Sequence, residues 1–247
     1  MFKALPGRGF ALSRPIGLLL WGYIFWLLTS LKLLNNDLAG QLTALIFLAA
    51  LNILLSGRGT LKALAAWVRE KRKFILSVEL LFLAGFALWA FVRAANPAII
   101  GTEKPMEMAF INAILRSPGF PPNDPWLSGY AISYYYFGYV LAAMLIRVTG
   151  TLAGVGYNLV AAMWFALTAC AAYGLLFDLL SLHAKDAEKD TSWILAASLL
   201  APALLLIVSN WHGFLDVLHA RGLFFSSSAD GNLGSGFWDW LKLKEIS

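Results

Sequence analysis

The stretch VGYNLVAAMWFALTACAAYGLLFDLL, residues 155–180, contains one Asp and no Glu, Lys or Arg. A helix needs about 20 predominantly apolar residues to cross the ~30 Å hydrocarbon core of a bilayer, and this run is long enough. Its alanines suit close helix contact in lipid, where small residues let backbones approach. The rest of the chain agrees. Of its 247 residues 60% are hydrophobic and 13% charged, and the mean hydropathy is +0.70, outside the range of soluble domains. The expectation is an all-α, polytopic transmembrane bundle whose first partner is the lipid bilayer.

Working outward from 155–179, five further segments have the length and apolarity of spans: 16–34, 38–56, 74–93, 132–149 and 192–209. Together they predict about six crossings in one membrane domain over 1–247, with an outer loop at 94–131 and an amphipathic tail at 210–247. The first segment is read as retained, because its core is too long for a signal peptide and no small-residue cleavage site follows. Between the second and third segments lie Arg58, Lys62, Arg69, Lys71, Arg72 and Lys73 against Glu70. By the positive-inside rule that loop and the N-terminus are cytoplasmic, in a multi-pass protein of the cell membrane. Loops 94–131 and 180–191 are then outside. The net charge of +5 follows the apolar segments and forms no separate basic domain, so it indicates topology and no nucleic-acid partner.

The single cysteine, Cys170, excludes a disulfide framework or a Cys-based metal site. HExxH, nucleotide-binding glycine loops and nucleophile elbows are absent. The chemistry-bearing residues gather in the long loop. There Met106, Phe110, Ala113 and Ile114 recur at helical spacing after Pro105, predicting a short amphipathic helix at the membrane surface. Pro121, Pro122 and Pro125 stiffen the chain around Asn123 and Asp124. Glu103, Glu107 and Asp124 supply carboxylates for a general base or a divalent-metal site, a divalent cation being the one cofactor they suggest. Acidic residues also favour a helix N-terminus for its dipole alone, and spacing does not choose between these readings. Tyr134, Tyr135 and Tyr136 lie about 100° apart if helical. Helical stripes then join Tyr130, Tyr134 and Gly138, and Tyr135 with Tyr139, either lining a site or forming an interfacial aromatic belt. Glu79, inside a span, predicts pairing with a basic neighbour. Asp178, placed near the outer end of its span, has no assigned role.

The runs NPAIIGTEKPMEMAFINAILRS (96–117) and FPPNDPWLSGYAISYYYFGY (120–139), followed by YNL (157–159), closely resemble the YYY-domain family of polytopic membrane proteins. The likeness extends over nearly the whole chain. The family pattern has aspartate where this chain has Glu107, which keeps the carboxylate and lengthens its reach. Related members carry further apolar segments before and after, which implies that this chain is a piece of a longer protein, with the remainder or a companion subunit as partner. The layout is also similar to GT-C membrane glycosyltransferases, which place an acidic residue in the first large outer loop and transfer sugar from a polyprenyl phosphate. That similarity implies Glu107 as base or metal ligand, and Glu103 and Asp124 as metal ligands or positioning groups. It further implies Arg93, Lys104 and Arg116 as partners of the donor phosphate, and Trp126, Tyr130, Tyr134, Tyr135 and Tyr136 as sugar contacts. A transporter and a non-catalytic membrane scaffold are the alternatives.

Overall fold

The computed structural model describes residues 4–57, 60–186 and 193–208, with a few positions from 215 to 234. By backbone packing the chain divides into two units, Met1–Pro202 and Ala203–Ser247. In the first, a 3-10 turn at Phe10–Leu12 leads into α1 (Ser13–Ser30). Asp37 then accepts the amide proton of Gly40, satisfying a first-turn donor and starting α2 (Leu38–Leu55). α3 (Thr60–Glu70) meets α4 (Arg72–Ala95) across the single residue Lys71. α5 (Lys104–Arg116) lies in the long loop, and α6 (Phe137–Thr149) ends at Gly150, whose φ of 64° is a left-handed C-cap. α7 (Ala153–Asp186) is the longest element, and α8 (Ile194–Ala197) and α9 (Leu200–Leu206) follow. Strand pairing among the described residues is confined to a two-residue antiparallel ladder, Ser226–Ser227 with Leu233–Gly234, and a bridge between Asn123 and Ala131.

The protein is an all-α membrane protein. Among the described residues four helices are long and apolar enough to cross: Phe10–Ser30, Leu38–Leu55, Arg72–Ala95 and Ala153–Ala184. The two other predicted spans differ. Within 132–149 only 13 residues are helical, about 20 Å at 1.5 Å per residue and too short for the hydrocarbon core. Val140 to Met144 and Ile146 are buried, so this apolarity serves packing within the protein. Within 192–209 the helix breaks at Ser198 and Leu199. Pro202 has no N–H to offer the Ser198 carbonyl, which instead accepts from Ala201 at 3.3 Å. The expected amphipathic tail, 210–247, falls largely outside the described residues.

α4 and α7 run antiparallel. Near the start of α4, Phe74 stacks on Phe177 with centroids 4.0 Å apart; towards its end, Trp89 stacks on Phe165 at 4.7 Å. In the last turn Arg93 Nε donates to Asn158 Oδ1 at 2.7 Å. With α1, α2 and α4 alternating direction, one face carries the N-terminal segment, α3 and the end of α7, and the other carries residues 31–37 and 96–152. Residues 180–186 and Asp178 therefore lie on the N-terminal face, opposite to the expected side. The reason is the crossing lost at 132–149, which reverses every later span. Asp178 Oδ1 accepts the Gly7 N–H at 2.6 Å, anchoring the N-terminal segment. Glu79 pairs with Arg14 at 2.6 Å, as expected.

Two apolar clusters sit towards the two faces. Phe25, Ile111, Ile114, Phe120 and the buried side of α6 form one. Trp67, Phe74, Tyr173, Phe177 and Ile194 form the other.

Candidate functional site

The loop that carries the candidate residues is pinned by its own hydrogen bonds. α5 places Pro105 in its first turn, where an absent N–H costs nothing, and buries Phe110, Ile111 and Ile114. The carbonyls at its C-terminal end lack intrahelical donors and are taken from outside. Asn36 Nδ2 donates to Ile114 O at 2.6 Å and Ser117 O at 2.7 Å. Arg147 Nη2 donates to Leu115 O at 3.1 Å, and Nη1 to Asn36 Oδ1 at 3.0 Å. Burial pushes the Arg147 guanidinium below its ordinary pKa, against an opposing pull from Asp37. Further on, Ser117 Oγ accepts the Asn123 N–H at 2.8 Å, and Ile132 N–H donates to Pro122 O at 2.9 Å.

On this frame, Glu107 in the first turn of α5 accepts the hydroxyl proton of Tyr157, in the first turns of α7, through Oε2. The next residue, Asn158, takes Arg93 as described and donates Nδ2 to Pro97 O and Gly154 O. Tyr157 is thus within electrostatic reach of both Glu107 and Arg93. Arg93 Nη2 is buried and has no hydrogen-bond partner among the described residues. Beside it, between the end of α4 and the start of α7, lies an apolar groove of about 590 Å³ walled by Pro97, Ile99, Leu152 and Val155.

Tyrosines complete the cluster. The Tyr139 phenol is raised first by burial and then by the charge of Glu107, with smaller effects from Tyr135 and Glu103. Tyr134 donates to the Tyr135 hydroxyl at 2.7 Å, their rings 4.0 Å apart. That hydrogen bond is the main cause pushing Tyr134 up to about 12, ahead of burial and the nearby Tyr135 and Glu103 groups. Phe110 holds the aromatic group together, with Trp126 edge-on at 5.5 Å and Tyr134 and Tyr139 each at 5.6 Å.

The predicted residues separate accordingly. Glu103, Glu107, Tyr134, Tyr135 and Arg93 gather in one region; Trp126 borders it through Phe110. Asp124 does not join them. Its Oδ1 accepts the N–H groups of Trp126 and Leu127 at 2.8 and 2.9 Å, and its own N–H donates to Tyr130 O, so it shapes a turn. Among the described residues no three His, Cys, Asp or Glu side chains converge as a metal-ligand set. The expected ligation by Glu103, Glu107 and Asp124 is therefore not assembled. Tyr136 is turned towards α1, accepting from Trp26 Nε1 at 3.1 Å, so it belongs to the packing. The helix begins only at Phe137, so Tyr130, Tyr134 and Gly138 form no helical stripe. Tyr130 is exposed. Arg116 is also exposed and lies nine residues from Glu107 along α5, about 14 Å. Lys104 is half-buried at the start of α5 and makes no ion pair among the described residues. Tyr139 entered the sequence reading only as the partner of Tyr135 in a stripe, and Tyr157 and Asn158 had no assigned role. The available signal was the polar Tyr-Asn pair opening an otherwise apolar span.

These features define a polytopic helical membrane protein that carries a carboxylate, tyrosine and arginine cluster on one face, next to an apolar groove. Within that class, the chain belongs to the family described as uncharacterized membrane protein (DUF2298), whose model matches residues 20–240. No curated protein and no solved structure matches it.

Proposed function

We propose that this chain forms the donor site of a GT-C-like glycosyltransferase that moves sugar from a polyprenyl phosphate to an acceptor hydroxyl at the outer face of the cell membrane. The supporting observation is one buried, unpartnered guanidinium nitrogen on Arg93 beside an apolar groove, linked through Asn158 and Tyr157 to the Glu107 carboxylate. An apolar groove suits an isoprenoid chain, and a guanidinium donor without a partner suits its phosphate once a side chain moves aside to admit it. In the proposed reaction the acceptor oxygen attacks the anomeric carbon. Glu107 takes the hydroxyl proton, and the bond from that carbon to the phosphate oxygen breaks, its electron pair leaving with the phosphate. Arg93 stabilises the departing charge. Tyr134, Tyr135 and Tyr139 stack on or hydrogen-bond to the sugar, with Glu103 positioning them. No step is routed through a metal. The basic residues before α4 support a cytoplasmic N-terminus, which turns the cluster outward. A companion subunit or the remainder of a longer chain supplies the acceptor site.

The test is transfer from a labelled polyprenyl-phosphate sugar by membranes carrying the longest native reading frame. At matched expression Glu107→Gln is expected to lose roughly 10²- to 10⁴-fold in turnover, the range of general-base catalysis. Transfer unchanged in that variant rules Glu107 out as the base. Absence of transfer in both variant and wild type returns the choice to a scaffold or a transporter.

A further inference from the structure

The N-terminal face holds a second cavity that this reading does not use. It is an open cleft of about 780 Å³ at the joint of α3 and α4, with Arg69, Lys71, Arg72 and Lys73 on its wall and Phe74 and Phe177 among its apolar lining. Glu70 is the one acid on that wall among the described residues, and its carboxylate is already paired with Lys71 at 3.1 Å. Charge at this position satisfies topology by itself; a cleft with apolar side chains among its lining does not follow from topology. A second, mostly apolar groove of about 400 Å³ adjoins it, lined by Val68, Ile75 and Leu76 and, at one end, by Glu79, whose carboxylate is paired with Arg14; Arg72 and Lys73 line both. The joint, Lys71, immediately precedes a helix long and apolar enough to cross the membrane, so the cations stand at the level of lipid headgroups.

We propose that this pair of cavities binds an anionic glycerophospholipid, its phosphate among Arg69, Arg72 and Lys73 and an acyl chain in the groove along α4. Three cations that no acid pairs with among the described residues, Glu70 and Glu79 being taken by Lys71 and Arg14, match a phosphodiester, and the apolar groove beginning at the same residues matches the chain attached to it. A soluble anion uses the first cavity only. The site lies on the opposite face from Glu107 and stands or falls independently of the glycosyltransferase reading.

The experiment measures binding of a fluorescent short-chain phosphatidylglycerol to the full chain in neutral detergent at physiological salt. Saturable binding at least about tenfold tighter than for the matching phosphatidylcholine is expected. Arg72→Gln with Lys73→Gln weakens it by about tenfold or more, since each cation near an anionic lipid contributes separately. The charge-keeping pair Arg72→Lys with Lys73→Arg retains binding, which separates lost charge from lost folding. Lys32→Gln with Lys62→Gln removes the same charge elsewhere and leaves binding unchanged. Equal affinity for the two lipids, equal weakening in the Lys32 and Lys62 pair, or displacement by low-millimolar inorganic phosphate overturns the assignment, the last in favour of a soluble anion.

Discussion

Single polar side chains join parts of this protein that are far apart in sequence. Asn36 and Arg147 close the C-terminal end of α5 from two different elements. Asn36→Leu removes donors from buried carbonyls and is expected to cost about 1–3 kcal/mol, read as a lower thermal midpoint in detergent, with Lys32→Gln as a neutral control. Tyr134 allows a pH prediction. The folded chain holds its proton more tightly than the unfolded chain does, up to about 12 against about 10. That contribution is complete below about pH 10 and is lost as pH rises through about 12. In Tyr135→Phe, which lacks the hydroxyl that Tyr134 donates to, the Tyr134 ionisation followed by near-ultraviolet absorbance should move down towards about 10; an unaltered titration contradicts the assigned cause. Glu107 was legible because a carboxylate in a stiff, proline-rich loop is conspicuous. Its partner Tyr157 lies 50 residues away, a separation that periodicity and composition do not register.

At the scale of elements, close helix approach depends on glycines, among them Gly156 of α7, where a Cβ would overlap Ile146 of α6. A Cβ on Gly22 would overlap Leu141 Cδ2 of α6, and one on Gly174 would overlap Ala11 of the 3-10 turn. Gly174→Val is therefore expected to destabilise by about 1–3 kcal/mol, the usual cost of overpacking. Gly17, with open space around its Cβ position, should gain slightly from alanine through helix propensity. Comparing the two thermal midpoints checks both. The spans α1, α2, α4 and α7 were legible from apolar length. α6 was not, because hydropathy registers apolar side chains and does not say whether lipid or protein covers them. Nor did it register that residues 132–136 precede the helix, since tyrosines in an extended approach score like a continuing span.

At the scale of the whole molecule, the four helices among the described residues that are long and apolar enough to cross put the Glu107 cluster and the basic cavity on opposite faces. The segment 96–152, with α5 and α6, stays on one face, so α7 starts beside Glu107 and Arg93 and ends beside Gly7 and Phe74. The six-span reading has the same faces up to residue 131 and inverts them beyond residue 149. The site depends on this parity, because only then do Tyr157 and Asn158 share a face with Glu107 and Arg93. The most direct measurement is single-cysteine labelling with a membrane-impermeant maleimide on sealed vesicles of known orientation. Cys170 is the sole native cysteine and is buried, so new exposed cysteines report cleanly. Lys62→Cys and His183→Cys should label from one side and Ser128→Cys from the other. His183→Cys labelling together with Ser128→Cys contradicts the four-span arrangement and, with it, the assembly of the site.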